Sequence, residues 1–308
     1  MTINTAVNQY IDFCRASGKT ACTISSYQQT LTRLASFLGA AGLDSVESVT
    51  PAILVSFKAD IAGKMAATSQ RLLLTHLSCF FSFLVDMEIV SRNPYKKGLM
   101  AVEKSAIREQ ESKPYEVLTV DDFRQILTGT PALMHKASIT RNRAILVTFL
   151  TTGLRNESLR ELKVADIDFT GKQIRVSSAK GGKTGWAPLT DVCAATISDY
   201  LAECPANFEE PLFRTSGKAI ARTHLSDIVE DAVREFTGKA GFRTHSLRHT
   251  FASLLSHAGM SDGEISLLLF HSDSTGAAVT SRYIERDNEK LFAKVNDIFS
   301  DKILRGVA

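Results

Sequence analysis

The stretch "RTHSLRHTFASLLSHAG", residues 243–259, decides how the chain is read. Leu247, Phe251, Leu254, Leu255 and Ala258 recur at helical spacing, which predicts one helix facing a core. At roughly 100° per residue, His245, Arg248 and His249 fall together on the face away from Leu247 and Leu254. Thr244 or Ser246 is placed to cap this helix, whose N-terminal dipole favours an anion. Two readings are open here. The polar face is a solvated surface, or His245 and Arg248, at i and i+3, converge on one small anion.

Downstream, "LLLFHSDSTGAAVTSRYIERD" places His271 after four apolar residues and Tyr283 at a helix start. Taken singly, such a histidine belongs in a core and such a tyrosine in packing. Upstream, "TTGLRNESL" ends an apolar helix at a glycine, so Arg155 begins the next turn at a bend. By itself Arg155 reads as an arginine paired with Glu157 or Glu161. "KQIRVSSAKGGKTGWAPLT" alternates into a strand, turns at Gly181–Gly182 and returns to Pro188. Lys180 sits at that turn, where the glycines permit close approach to another backbone; Lys183 competes with it.

Around these motifs, residues 1–95 read as a run of helices. Ile24, Tyr27, Leu31, Leu34 and Leu38 mark one, Thr50–Pro51 opens another, and 67–90 is dense enough to be the centre of the bundle. Residues 96–114, charged and unperiodic, read as an exposed linker. Thr119 and two acids then open a second domain, 115–308, largely helical with one β-hairpin. The fold class expected is mainly α, in two domains.

Bulk properties exclude several classes. A chain of 308 residues accommodates two domains, and 44% hydrophobic with 22% charged residues is a globular composition. The net charge of +3 decides little, but nine Lys/Arg against four Asp/Glu between Arg141 and Lys183 suit a polyanion. Five scattered cysteines without a CxxC pair suggest neither zinc nor a disulfide framework, and a reduced, cytoplasmic setting is expected. The N-terminus lacks a signal-peptide pattern, and no apolar run is long enough to span a bilayer, so no membrane partner is expected.

Two arginines, a lysine, two histidines and a tyrosine form the set that metal-free transesterification of a phosphodiester requires. Arg155 and Arg248 can neutralise the non-bridging charge that builds in the transition state. A tyrosine, with pKa near ~10, needs a base such as His245 as it attacks. The departing 5′-hydroxyl needs a proton, which Lys180 can supply. No carboxylate pair or Cys/His cluster offers a metal site, so no cofactor is expected and tyrosine is the coherent nucleophile.

The ordered set Arg155, Lys180, His245-x-x-Arg248, His271, Tyr283 resembles the tyrosine recombinases, or phage-integrase family. "TGLRNESLREL…DID", "THSLRHTFASLL" and the His…Tyr segment are similar to its three catalytic boxes, and the resemblance covers essentially the whole chain. It implies an N-terminal helical core-binding (SAM-like) bundle and a C-terminal mainly α catalytic domain with a small β-hairpin or sheet. It implies that Tyr283 forms a 3′-phosphotyrosyl bond, that Arg155 and Arg248 hold the scissile phosphate, and that Lys180 is the acid. His245 would accept the proton and His271 would hydrogen-bond the phosphate. The implied partners are double-stranded DNA recombination sites, clamped between two domains with the 92–113 segment around the duplex. A homo-tetramer would exchange strands through a Holliday junction. The stripe Leu291, Phe292, Val295, Ile298, Phe299, Ile303 either closes its own domain or, as the resemblance favours, docks on a neighbouring protomer.

Three departures stand out. Ser158 occupies the family's usual acidic position, with Glu157 one residue early; the His271–Tyr283 spacing is longer than usual; and "LFH" replaces "LGH". The alternatives are a type IB topoisomerase-like nicking and resealing enzyme, and a non-catalytic DNA-binding accessory protein of the same fold. Integration and excision of mobile genetic elements, dimer resolution and transposition share this chemistry.

Overall fold

Threonine caps set the entries of the N-terminal helices. Thr2, Thr20 and Thr50 each accept a hydrogen bond from the backbone N–H three residues on, satisfying one of the free donors at a helix start. The computed structural model describes residues 1–102, 116–130, 136–177, 184–270 and 288–302. The chain divides into two units, Met1–Pro114 and Tyr115–Ala308.

The first unit contains α1 (Ile3–Ala16), α2 (Ala21–Ala40), α3 (Pro51–Ile61), α4 (Ala67–Asp86) and the single turn α5 (Lys97–Met100). Its core joins Leu31, Leu34 and Leu38 of α2 to Leu54 and Phe57 of α3 and to Leu77, Phe80, Phe81 and Leu84 of α4. Tyr10 of α1 packs edge-on against Tyr27 and Phe80. His76 is buried within this core, where its Nδ1 meets Thr30 Oγ1 at 2.9 Å, and burial pushes its pKa down. One sequence expectation is corrected here. The exposed linker does not begin at Lys96: Met100 is buried in this core, and Lys58 Nζ donates to the carbonyls of Leu99 and Ala101. The charge of "YKKG" masks that one apolar anchor.

The second unit is built around α7 (Lys136–Thr152), which follows α6 (Val120–Thr128). Thr119 and Asp122 form a reciprocal capping box at the start of α6. From Ala144 to Leu150 every residue of α7 is buried, because α6, α9 (Asp191–Glu203), α10 (Arg222–Thr237) and α11 (Thr244–His257) pack around it. A helix apolar all round belongs at the centre of such a cluster. Between α7 and α9 lie α8 (Asn156–Arg160), a 3-10 turn at Val164–Asp166 and strands β1 (Ile167–Asp168), β2 (Gln173–Ser177) and β3 (Thr184–Pro188). They form one antiparallel sheet in the order β1-β2-β3. Ile174 pairs with Ala187, and Val176 with Gly185, on the face turned to the core.

The single expected hairpin is therefore a three-stranded sheet, and a second hairpin, β4 (Arg214–Thr215) with β5 (Lys218–Ala219), stands apart. Two-residue strands are too short to show alternation in a sequence. After α11 come α12 (Asp262–Leu268) and a helix described over 288–297 (α13), continuing into a π turn at Ile298–Lys302. Phe292, Val295, Ile298 and Phe299 are buried in the core of this same unit. Phe299 lies 5.5 Å from the ring of Phe123 and stacks at 3° to Phe251. The described part of the terminal stripe thus packs on its own domain, as the first of the two expected arrangements has it. Ile303 lies outside the described residues. No described helix is long and apolar enough to cross a membrane.

Candidate active site

Arg248 is the centre of the site, and the structure places it where the sequence does not suggest. On a helical wheel it belongs to the polar face, yet it is only 6% exposed. Its Nη1 donates to the Gly153 carbonyl at 2.6 Å and its Nη2 to the Leu269 carbonyl at 2.5 Å. A guanidinium has five N–H donors in a planar fork. Two are spent on these carbonyls, which fix the plane, and three remain for an anion. Burial, reinforced by the neighbouring charge of Arg155, lowers its pKa to about 10, so it stays cationic at neutral pH.

Gly153 makes this approach possible. Its φ of +61° turns α7 sharply into the Leu154–Arg155 segment. A Cβ there would lie 2.4 Å from Phe251 Cδ1 and 2.8 Å from Leu269 Cδ2. Only glycine allows the turn and the close packing together. The chain emerges at Arg155, the residue before α8, with its side chain exposed. The pairing with Glu157 or Glu161 that Arg155 suggests when taken by itself is not formed: both carboxylates face Arg160 instead. Ser158 is buried, and among the described residues no carboxylate neutralises Arg155.

His245 stands in the first turn of α11. Burial lowers its pKa below the usual 6.5, and Arg248 and Arg155 push it further the same way. The imidazole is therefore neutral at pH 7 and able to take a proton. His249, left without a role by the sequence, packs edge-on to it with ring centroids 4.6 Å apart. Its pKa is also lowered, first by burial and then by His245 and Arg248. The expected caps, Thr244 and Ser246, are corrected too. Arg243 is the cap residue, in extended backbone, and Ser246 Oγ accepts from its N–H at 3.4 Å.

Asn156 was not singled out from the sequence. Its Nδ2 donates to Ser226 Oγ at 3.2 Å and Thr244 Oγ1 at 3.4 Å, linking α8 to α10 and α11. It thereby ties the residue next to Arg155 to the residue next to His245. Only its place after "TGLR" could have drawn notice. Phe270 also went unremarked except as a departure from "LGH". Its φ of +51° is a left-handed conformation that costs a side-chain-bearing residue roughly 1–2 kcal/mol. Lys180, His271 and Tyr283, together with the competing Lys183, lie outside the described residues.

Arg155, His245 and Arg248 are thus drawn together from the two ends of an α7–α8 bend and an α11 helix start. Two guanidinium groups beside a neutral imidazole can hold a phosphodiester and accept a proton. Residues 116–290 match the phage integrase family, more than half of the chain. A tyrosine recombinase XerC from Pelobacter propionicus is 31% identical over 273 residues, covering 87% of this chain and 86% of that protein. A tyrosine recombinase from Pseudothermotoga lettingae is 26% identical, with 77% of each chain covered. Among solved structures, a lambda integrase (75–356) dimer bound to a COC′ core site superposes with a TM-score of 0.68 at 19% identity, covering 89% of this chain and 97% of that one. XerH site-specific recombinase on its palindromic difH substrate gives 0.68 at 20% identity, covering 96% and 85%. The chain belongs to the phage integrase family, and is a tyrosine site-specific recombinase.

Proposed function

We propose that this recombinase cleaves and rejoins double-stranded DNA through a 3′-phosphotyrosyl bond formed by Tyr283. The Tyr283 oxygen bonds to phosphorus as the P–O5′ bond breaks. The tyrosine proton passes to His245, and Lys180 gives a proton to the departing 5′-oxygen. Arg155 and Arg248 hold the non-bridging oxygens, assisted by His271. Attack by a 5′-hydroxyl from another strand reverses these steps, so the bond energy is conserved and no cofactor is consumed. Four copies of the chain exchange the strands in pairs through a Holliday junction. A lambda integrase tetramer bound to a Holliday junction shares the fold at a TM-score of 0.66 and 18% identity, covering 89% of this chain and 79% of that one.

The observation that carries this reading is the buried Arg248, fixed by two carbonyls with three donors left, beside Arg155 and a neutral His245. A buried cation with no carboxylate bonded to it among the described residues is a site for an anion. The test is incubation with a library of randomised duplexes nicked beside the cleavage position, so that the 5′-hydroxyl fragment diffuses away. A covalent adduct is expected on denaturing gels and is lost in Tyr283→Phe. An adduct that survives this substitution overturns the assignment. Sequencing the trapped DNA gives the site.

A further inference from the structure

The core face of the β2–β3 hairpin has a gap. Ile174 and Ala187 fill one register position, whereas Val176 faces Gly185, which offers no side chain. The ring of Phe270 occupies that gap: a Cβ on Gly185 would lie 2.5 Å from Phe270 Cε1 and 3.1 Å from Cδ1. Phe270 reaches it from a left-handed backbone, φ +51°, that a glycine would adopt without strain. A strained residue is retained only where surrounding packing over-determines it. Immediately before it, the Leu269 carbonyl is held by Arg248. The dipeptide Leu269–Phe270 therefore joins the phosphate-holding arginine on one side to the base of the hairpin on the other. Residues 178–183, the connection between β2 and β3, include Lys180.

We propose that Phe270, seated on Gly185, is a positioning residue for the proton transfer to the leaving group. It fixes the base of the hairpin relative to Arg248 and so sets where the lysine-bearing connection starts. The inference rests on the reading of Lys180 as the acid. A rigid base matters because a general acid must lie within hydrogen-bond reach of the oxygen it protonates. Loss of about an ångström in placement removes much of a contribution that is typically about 10²–10⁴-fold.

The test compares the recovered DNA site with either oxygen or sulfur bridging phosphorus to the 5′ carbon. With oxygen, P–O5′ breaks and the alkoxide must take the lysine's proton. With sulfur, P–S breaks and the thiolate leaves unprotonated, so the acid is not needed. Both substrates are cleaved by one preparation of full-length protein, and their rate ratio is unaffected by any unfolded fraction. Phe270→Ala is expected to slow cleavage of the oxygen substrate about tenfold or more and the sulfur substrate little, raising the sulfur-to-oxygen ratio by that factor. The double variant Phe270→Gly with Gly185→Val refills the gap from the strand and removes the left-handed strain. It restores packing but not the link, so the raised ratio is expected to persist.

An unchanged ratio in Phe270→Ala, or a ratio that returns to normal in the double variant, overturns the inference. Lys180→Ala separates the two layers. If sulfur rescues Lys180→Ala but not Phe270→Ala, the acid assignment stands and the positioning role fails. If sulfur does not rescue Lys180→Ala, the acid assignment fails and takes the positioning role with it.

Discussion

Arg248 Nη1 and the Gly153 carbonyl meet at 2.6 Å across 95 residues of sequence, inside the core rather than at its surface. This contact makes Arg248 a structural tie, in addition to the phosphate-holding role proposed for it. Arg155, exposed and without a carboxylate partner among the described residues, has only the proposed phosphate-holding role. The two arginines should therefore fail differently. Arg248→Ala strands two buried carbonyls, each costing roughly 1–3 kcal/mol, and is expected to lower the unfolding free energy as well as abolish cleavage. Arg155→Ala should leave stability within about 0.5 kcal/mol while slowing cleavage at least a hundredfold. Urea unfolding beside single-turnover cleavage checks both; equal stability losses would contradict the account.

Gly153→Ala tests the turn that delivers the carbonyl. The added methyl meets Phe251 and Leu269 and must adopt φ +61°. Left-handed strain of roughly 1–2 kcal/mol adds to overpacking of roughly 1–3 kcal/mol. A midpoint shift equivalent to about 2–5 kcal/mol in urea unfolding is the expected outcome. No change in stability would mean the bend relaxes freely.

The pH dependence of cleavage follows from the surroundings of His245. Burial first, then Arg248 and Arg155, depress its pKa below 6.5, so the proton-accepting form persists to lower pH than in an ordinary histidine. The midpoint of the acid limb of single-turnover cleavage should therefore lie below pH 6.5, as the imidazole is protonated. Replacing Arg155 by alanine removes one of the depressing charges and should move the acid limb upward in whatever activity remains. A wild-type acid limb with its midpoint above pH 6.5 would rule out this role for His245.

How much of this was legible in the sequence depends on what carries each feature. The core stripe of α11 and the caps at Thr50–Pro51 and Thr119–Asp122 are local patterns, and the helices appear where those patterns place them. The burial of Arg248 is not local. Its acceptors are backbone carbonyls 95 and 21 residues away, and every residue type has a carbonyl. The same holds for the seat of Phe270 on Gly185, which needs the hairpin register before the gap is visible. The apolar stripe of α13 was legible, but its partner was not: the pattern says that a face is covered, and Phe123 and Phe251 say by what.

Asn156 separates positioning from stability. It donates to Ser226 and Thr244, yet its Oδ1 is buried with no hydrogen-bond partner among the described residues. An unsatisfied acceptor costs roughly 1–3 kcal/mol, and each bond made returns about 0.5–1.5 kcal/mol, so the net contribution is near zero. Asn156→Leu, which keeps the branching and number of side-chain atoms, should change stability by less than about 1 kcal/mol. It should still slow cleavage without weakening DNA binding, because Arg155 and His245 lose their common tether. Parallel measurement of DNA affinity and single-turnover rate decides it; a fall in affinity alone would point to a different function for the amide.

Phe299 decides where the terminal helix belongs. Its ring is fully buried between Phe123 and Phe251 in its own unit. Truncating a buried phenylalanine costs roughly 3–5 kcal/mol, through lost transfer energy and the cavity left behind. Phe299→Ala should therefore lower the melting temperature of the isolated protein, with no DNA and at concentrations too low for association. If the stripe instead served chiefly to hold a second protomer, the dilute protein would melt unchanged and only assembly on DNA would suffer. Melting at two protein concentrations distinguishes these outcomes, since a loss within one chain is independent of concentration whereas a loss between chains is not.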